Sequence, residues 1–220
     1  MLLRVLEPEA MDTPEEADAY DAMDHAAVND CFVADFLAAH GPCRGGELLD
    51  VGTGPGRIPI ALGHADPHAR ILGIDLAEPM LDRARRNTAG AGLAGRIRFE
   101  RADAKALPYA DGAFEALLSN TIVHHIPEPA RVLAEMARVV APGGTLFVRD
   151  LARPETGDDV ARLVEQYAGA EAPAARALFE ASLHAALTVD EVRDLVRALG
   201  LPDTGVEMTS DRHWTWVGRP

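Results

Sequence analysis

The chain has 220 residues, 48% of them hydrophobic and 25% charged, and a formal net charge of -14. This length and composition predict one globular domain that needs no disulfides, and a count of two cysteines fits a reducing cytoplasm. The acidic balance argues against nucleic acid or an anionic membrane surface as a partner, because both attract basic patches. No apolar run has membrane-spanning length, and the first residues lack a signal-peptide layout, so we expect a cytoplasmic monomer or homodimer.

The first 45 residues are acidic and predict helices. Thr13-Pro14-Glu15-Glu16 has the residues of a capping box at a helix start. Apolar residues between Val28 and Leu37 recur at helical spacing. Five further side chains cluster here and form either a solvated helix face or the wall of a substrate pocket: Tyr20, Asp21, Asp24, His25 and Asn29.

A glycine-rich turn follows the first apolar run. Residues Glu47–Val51 predict a buried strand, Gly52-Thr53-Gly54-Pro55-Gly56 a tight loop, and the residues from Pro55 a helix. Glycines allow positive φ and let a ligand approach the backbone, while a helix start offers unpaired N–H groups. The stretch therefore indicates a nucleotide or nucleoside site, with a purely structural turn as the alternative.

Strands and helices alternate after this loop. Further strands are predicted at Arg70–Asp75, Arg96–Glu100, Phe114–Asn120 and Thr145–Asp150, and helices at 55–64, 78–87 and 129–140. Such alternation demands a doubly wound, mostly parallel sheet with both faces covered.

The last third of the chain predicts more helices and a sheet edge. Residues 155–186 read as helical, and Thr188 begins another helix with a second capping box. Two short strands near 206–209 and 213–217 are expected to pair antiparallel. Trp214 and Trp216 alternate on the last of these strands, which favours a place in the core over a substrate cage.

Polar groups stand at the predicted strand ends, where ligands bind in open α/β sheets. Asp75 closes the second strand, 23 residues after Gly52. A carboxylate there can accept hydrogen bonds from both hydroxyls of a ribose, or it can cap the following helix. Asp103 follows the third strand, and Asn120 closes the fourth.

These features together resemble a known family. The Asp50-x-Gly52-x-Gly54-x-Gly56 pattern, Asp75, Asp103-Ala104 and the turn at Ala141–Gly144 resemble, over about residues 45–150, the class I S-adenosylmethionine (SAM)-dependent methyltransferases. The similarity is to the small-molecule branch of domain type 11 or 25. It implies a Rossmann-like sheet of seven strands with an antiparallel C-terminal strand, SAM as cofactor, and a small-molecule acceptor.

The resemblance also implies which residues touch the cofactor. The Asp103 side chain and the Ala104 N–H are expected at the adenine edge, and Asn120 beside the methionine portion. The expected cofactor-binding residues are Asp50, Gly52, Thr53, Gly54, Gly56, Asp75, Leu76, Asp103, Ala104 and Asn120.

We expect a single domain, residues 1–220, with helical lid segments around the cofactor-binding core. Its parts are an N-terminal lid at 1–45, the core at 46–150, a lid insertion at 151–187, and a C-terminal helix with edge strands at 188–220.

Methyl transfer to oxygen or nitrogen also requires removal of a proton, for which histidine is the natural base. His124 and His125 follow the fourth strand. We predict His125 as the base and His124 as a packed, hydrogen-bonded histidine, and structural roles for both stay open. Asp150 closes the fifth strand and, with Arg149 and Arg153 nearby, binds a polar substrate group or pairs with Arg153. No metal is expected, since a carboxylate cluster is not evident.

Two other functions share some of these features. A nicotinamide-dependent oxidoreductase would also use the glycine loop and Asp75, but Arg57 stands where the third Rossmann glycine would fall. A non-catalytic SAM-binding module would keep the cofactor pocket without the chemistry.

Overall fold

The computed structural model describes residues 2–7, 12–23 and 25–220. The predicted Asp24 therefore lies outside the described residues. The helices are α1 (Pro14–Asp21), α2 (Ala26–His40), α3 (Arg57–Ala65), α4 (Glu78–Gly90), α5 (Pro129–Val139), α6 (Gly157–Ala168), α7 (Pro173–Ala185) and α8 (Val189–Ala198). The strands are β1 (Glu47–Val51), β2 (Arg70–Asp75), β3 (Ile97–Arg101), β4 (Phe114–Asn120), β5 (Val140–Leu151), β6 (Val206–Met208) and β7 (His213–Gly218). Two 3₁₀ turns lie at Val123–His125 and Asp203–Gly205.

The strands form one seven-stranded sheet in the order β3-β2-β1-β4-β5-β7-β6. β1 pairs in parallel with β2 and β4, and the parallel pairing continues to β3 on one side and β5 on the other. β7 runs antiparallel to both β5 and β6. The doubly wound, mostly parallel sheet with an antiparallel C-terminal strand is confirmed. Its strand order reverses between β1 and β4, and ligands bind outside the carboxyl ends of the strands at such a point.

Helices cover both faces of the sheet because successive strand residues point in opposite directions. Leu48 packs in a cluster with Phe32 and Phe36 of α2, whereas Leu49 packs in a second cluster that includes residues of α5 and α8. The strand interiors are apolar on both faces, as buried parallel strands require.

The C-terminal strand supplies the largest core side chains. Trp214 and Trp216 are fully buried in the same cluster as Val192 and Val196 of α8. Their predicted core role is confirmed. No helix in the described part of the chain has the length and apolarity to cross a membrane.

The two predicted capping boxes are confirmed, whereas the predicted start of the fifth strand is wrong. Thr13 and Thr188 each cap a helix with reciprocal side-chain bonds to Glu16 and Glu191. The fifth strand begins at Val140 rather than Thr145. The predicted reversal at 141–144 is an irregularity in the ladder, where the register with β4 shifts, and Gly143 has φ +74°.

Candidate active site at the strand ends

Three adjoining cavities lie beyond the carboxyl ends of β1, β2 and β4. We call them the strand-end cavity, lined by Gly52, Asp75, Asp103 and Ala104 among others; the loop cavity, lined by Thr53 and Pro55 of the glycine loop; and the helix-walled cavity, lined by residues of α2, α6 and α7. Tyr20, Asn120 and Thr121 line all three. The three spaces therefore meet at the end of β4.

The glycine loop adopts backbone that favours glycine. Gly52, Gly54 and Gly56 have φ of +76°, +51° and +76°. A Cβ on Gly52 would lie 2.1 Å from Ile122, whereas a Cβ on Gly54 would have no described atom within 4 Å. Gly54 therefore borders open space, and a ligand can approach the backbone there.

Gly56 packs against neighbouring elements and does not line a cavity. A Cβ there would lie 3.0 Å from Ala84 and 3.1 Å from Phe99, and Gly56 lines none of the three cavities. A contact between Gly56 and the cofactor stays a prediction. The small size of Gly56 lets α4 and β3 approach the loop.

Asp75 joins the loop to the strand-end cavity. One carboxylate oxygen accepts the Gly54 N–H at 2.9 Å, and the other accepts the Ala77 N–H at 2.9 Å. The residue at the N-cap of α4 is Ala77 rather than Asp75. Burial raises the pKa of Asp75, and these backbone N–H groups oppose the shift. Each oxygen keeps acceptor capacity for a further donor from the cavity.

Asp50 lies beneath the loop. It is 2% exposed, it lines none of the three cavities, and its Oδ2 has no partner with hydrogen-bonding geometry in the described part of the chain. Burial raises its pKa to about 7, which the nearby Thr53 hydroxyl partly offsets. Asp50 is therefore placed to support the loop and to attract a positive charge, but not to form a cavity wall.

The far end of the strand-end cavity carries Leu76, Asp103 and Ala104. Asp103 accepts the Lys105 N–H at 2.9 Å and pairs with its ammonium at 3.1 Å. Burial alone would raise the pKa of Asp103, but these interactions with Lys105 hold it below the ordinary value. An ionised carboxylate in this position can accept a hydrogen bond from an exocyclic amine.

The end of β4 is strained at the junction of the cavities. Thr121 has φ +55°, which is rare for a residue other than glycine. Its backbone N–H donates to the Arg149 carbonyl at 2.8 Å, and this bond holds the strained turn against β5. Tyr20 approaches from α1, and its pKa is raised by burial and by Asp75, while a hydrogen bond with the Thr121 side chain opposes the shift. Such strain is typical of functional sites.

His124 is held between two carboxylates. It is 3% exposed, its Nδ1 lies 2.6 Å from Asp150, and its Nε2 lies 3.2 Å from Glu7. Burial alone would lower the pKa of His124, but Asp150 and Glu7 raise it to about 9. A protonated ring therefore donates to both carboxylates.

Asp150 holds the His124 turn and lines none of the three cavities. It is 1% exposed and accepts the His124 N–H at 3.0 Å in addition to its bond with the ring. The predicted pairing with Arg153 is wrong, because Arg153 pairs with Glu191 at 2.6 Å. Arg149 pairs with Asp35 at 2.7 Å and donates to Thr215, away from Asp150. A contact of Asp150 with substrate stays a prediction.

His125 lines both the strand-end cavity and the helix-walled cavity. Its side chain is 22% exposed, and its Nδ1 lies 3.1 Å from Glu7. The adjacent His124 ring is 4.1 Å away between centroids. Of the two histidines, His125 is the one whose ring can meet molecules in both spaces.

The helix-walled cavity has a volume of about 390 Å³ and a lining of both apolar and polar side chains. Its apolar walls include Val28 of α2, Leu178 and Phe179 of α7, and Leu151 of β5. His213 also faces it, and burial lowers the pKa of this histidine to about 4. Of the cluster predicted near α1 and α2, Tyr20, His25 and Asn29 line this cavity, and Asp21 lines the loop cavity beside Arg57.

The donors and acceptors fit an adenosine-containing sulfonium cofactor. Asp75 can accept from ribose hydroxyls, Asp103 from the adenine amine, and the open space above Gly54 admits a flat or polar group against the backbone. The unpartnered Asp50 oxygen and the acidic surroundings suit a ligand that carries positive charge.

Comparison with known proteins agrees with the resemblance in the sequence. Residues 49–148 match a family model described as a methyltransferase domain. Over these residues the chain is similar to SAM-dependent methyltransferases of class I. The chain is 40% identical over 111 residues to a demethylmenaquinone methyltransferase of Thermus thermophilus, a match that covers 50% of each protein. It is 32% identical over 188 residues to a 27-O-demethylrifamycin SV methyltransferase of Amycolatopsis mediterranei, which covers 84% of this chain and 65% of that protein.

Solved structures agree on the fold of the chain. A SAM-dependent methyltransferase from Aquifex aeolicus superposes with a TM-score of 0.69 at 18% identity, covering 94% of this chain and 97% of that one. The chain spans about half to two thirds of the length of the two sequence relatives named above. These matches do not favour the oxidoreductase alternative.

Glu7 contacts both histidines, and Ser182 donates to Glu7, but no pattern in the sequence predicts either role. A glutamate beside a proline near a chain start carries no distinguishing signal. Thr121 was named only as a neighbour of Asn120, because positive φ at a threonine is set by its surroundings.

Proposed function

We propose that this chain is a SAM-dependent methyltransferase that acts on a small-molecule acceptor with an apolar body. The observation that carries the proposal is the meeting of two cavities at Asn120, Thr121 and His125. One bears the carboxylates that suit an adenosine, and the other joins apolar side chains of α2 and α7 to the His125 ring. A donor in the first and an acceptor in the second would place the reacting atoms side by side.

We assign the cofactor to the strand-end and loop cavities. Asp75 would hold the ribose hydroxyls, Asp103 and the Ala104 N–H the adenine edge, and Leu76 the ring face. Gly52, Thr53 and Asn120 would border the methionine portion, with Asp50 supporting the loop beneath it. Arrangement of these groups on strand ends supports the assignment, since rigid elements fix a ligand better than free loops do.

When bound, SAM supplies a methyl group on a positively charged sulfur that leaves as a neutral thioether. Most of the catalysis can then come from alignment of acceptor, methyl group and sulfur. We assign His125 as the general base that takes the acceptor's proton, worth roughly 10²–10⁴-fold in rate. We assign Asp150 and His124 to holding this turn rather than to contact with the acceptor.

The acceptor would occupy the helix-walled cavity. Apolar side chains such as Leu178 and Phe179 suit a hydrophobic ring system, and His125 suits a hydroxyl that must lose a proton. Two relatives have names that refer to a menaquinone and a rifamycin precursor, which agrees with an acceptor of this kind. Residues 1–45 and 151–187 would act as the lid segments that shape this cavity.

We further infer a cytoplasmic monomer or homodimer that binds neither nucleic acid nor membrane. The net charge of -14 supports this inference, because those partners attract basic surfaces.

Calorimetric titration with SAM, its demethylated product and NAD(H) tests the cofactor. We expect micromolar binding of SAM and of the product, and none of NAD(H). Binding of NAD(H) alone would refute the proposal. A following screen of hydroxylated hydrophobic acceptors by mass spectrometry should find a methylated product. His125→Gln should slow its formation by roughly 10²–10⁴-fold, with a much smaller effect on SAM affinity.

A further inference from the structure

The described N-terminal segment, residues 2–7, is anchored across the histidine turn. The Arg4 guanidinium donates to the Ala185 carbonyl at 2.7 Å and to the carbonyls of His124 and Ile126, each at 3.0 Å. Leu2 packs against the apolar cluster formed by α6 and α7. These bonds satisfy carbonyls at the end of α7 and in the 3₁₀ turn, which have few partners of their own. The segment is thus fixed to both sides of the turn.

The anchored segment places Glu7 between the two histidines. Its Oε1 lies 3.2 Å from His124 Nε2, 3.1 Å from His125 Nδ1, and 3.0 Å from the Ser182 hydroxyl. The Glu7 side chain is 6% exposed. Burial alone would raise the pKa of Glu7, but the bond from His124 and the charge of His125 hold it below the ordinary value. Glu7 is therefore an ionised carboxylate in a nearly dry setting.

The contact decides which nitrogen of His125 carries the proton. An ionised carboxylate only accepts hydrogen bonds, so with the Glu7 Oε1 3.1 Å from Nδ1 we expect Nδ1 to carry the hydrogen. In the neutral ring, the lone pair then resides on Nε2. A base must present that lone pair to the acceptor, and a third group that fixes the tautomer is the usual companion of a catalytic histidine.

The surrounding charges favour a proton on His125 during the reaction. Among the described residues of the turn, Asp150 and Glu7 supply two negative charges, and protonated His124 and the Arg4 guanidinium supply two positive charges. Of these groups, the Glu7 carboxylate is the one that lies 3.1 Å from the His125 ring nitrogen. An opposite charge at this distance favours the protonated ring, so Glu7 stabilises a proton that His125 takes from the acceptor.

We propose that Glu7 is a positioning residue for His125, which sets its tautomer and stabilises the proton that it takes from the acceptor. This inference rests on the proposed function. In the step concerned, the acceptor's electron pair forms the bond to the methyl carbon, the carbon–sulfur pair returns to sulfur, and the acceptor's proton passes to His125 Nε2. Glu7 touches neither reactant and acts through the ring.

Other ionisable groups also face His125, and their charges also affect its protonation. On the strand-end side these are Tyr20, Asp75 and Asp103. On the helix-walled side they are His25, Tyr167, Glu171, Arg212 and His213. Since Glu7 is in direct contact with the ring, its removal should have a larger effect than removal of a charge elsewhere on the surface.

The test is a ¹H–¹⁵N spectrum of the histidine side chains in the cofactor-free, chelator-treated protein, recorded from pH 5 to pH 9. His125→Gln assigns the His125 signals. In the wild type we expect a protonated Nδ1 and an unprotonated Nε2 in the neutral ring. In Glu7→Gln we expect the His125 midpoint to fall by about one pH unit or more and the tautomer to become mixed. Glu15→Gln, at the exposed start of α1, removes the same charge at a distance and should leave His125 unchanged.

Two further variants separate the carboxylate from the segment. Ser182→Ala removes a neighbouring bond to Glu7 but keeps its charge, and should shift the midpoint much less than Glu7→Gln does. Arg4→Lys keeps the positive charge but cannot make all three guanidinium bonds, so it loosens the segment without changing the charge, and should give a smaller shift of the same sign. It also serves as the second measurement if Glu7→Gln does not fold.

An unchanged tautomer and midpoint in Glu7→Gln would refute the positioning role. So would stoichiometric binding of Zn²⁺ that perturbs both histidines and is lost in Glu7→Gln, because the ligating atoms of the three side chains lie within 4.8 Å of one another. Calorimetry with SAM on the same samples tests the proposed function separately. Absence of SAM binding in the wild type would refute that function, whereas equal affinity in wild type and Glu7→Gln is expected here.

Discussion

Asp75 has two tasks in this structure, and a substitution can separate them. Its oxygens accept the Gly54 and Ala77 N–H groups at 2.9 Å each, and they also border the strand-end cavity. Asp75→Asn keeps one acceptor oxygen but replaces the other with a donor, and it removes the charge. A hydrogen bond to a charged group contributes about 1.5–3 kcal/mol. Loss of two such bonds to ribose, partly replaced by the amide, predicts SAM binding weaker by about 2–4 kcal/mol, roughly 30- to 1000-fold.

The assay is calorimetric titration with the demethylated product and with its 2′-deoxy and 3′-deoxy analogues. In the wild type each missing hydroxyl should weaken binding, whereas Asp75→Asn should discriminate little between the ribose and the deoxyribose forms. The coupling between the two changes isolates the direct contact from any general loosening of the loop. Thermal unfolding of the cofactor-free proteins gives the loop contribution by itself.

An equal loss for all three ligands in Asp75→Asn would refute the ribose contact and leave Asp75 as a support for the loop. In that outcome the variant would still prefer the ribose ligand over the two deoxyribose ligands as strongly as the wild type does. A drop in melting temperature alone would not produce the predicted coupling, so stability and recognition can be told apart.

Three more predictions test the loop and the buried charges. Gly54→Ala should fold with a cost of roughly 1–2 kcal/mol for the left-handed backbone but lose SAM binding, whereas Gly52→Ala, which adds a steric clash, should lower the melting temperature further. Because burial raises the pKa of Asp50 to about 7, its burial destabilises the fold increasingly as pH rises from about 4 to 7; Asp50→Asn should remove this loss and stabilise the cofactor-free protein at pH 8 by on the order of 3 kcal/mol in urea unfolding. The pKa of His124, raised to about 9 first by Asp150, predicts a contribution that is complete below pH 6.5 and lost as pH rises through 9; Asp150→Asn should cost roughly 3–5 kcal/mol near pH 6 and clearly less near pH 10. A pH-independent difference between wild type and either variant would contradict these assignments.

Much of the fold follows from patterns that lie close together in the sequence. Alternating apolar runs and helical segments predicted the parallel sheet, and the antiparallel pair at its edge followed from two short strands near the chain end. Thr13 and Thr188 begin helices as their capping boxes indicate. Such features depend on a few neighbouring residues, and their physical causes are local.

The sequence also predicted which polar residues lie together at the strand-end cavity, because the carboxyl ends of parallel strands meet at one edge of a sheet. Asp75, Asp103 and Asn120 line one cavity, as their positions at strand ends imply. The chain pattern could not show that Gly56 faces α4 and β3 instead, since the direction of a glycine's missing side chain depends on what packs above it.

The acceptor side depended on the tertiary structure. Glu7, His124 and Ser182 are distant in the chain and meet only because the N-terminal segment is anchored between the histidine turn and α7. Likewise, Arg153 finds Glu191 on α8 rather than the nearby Asp150, whose carboxylate is already bound to His124. The sequence by itself determined the sheet and the glycine loop after its first strand, because both follow from local sequence patterns. Only the tertiary structure decided the partners of each charge, because burial forces a charged group to take the partner that packing brings to it.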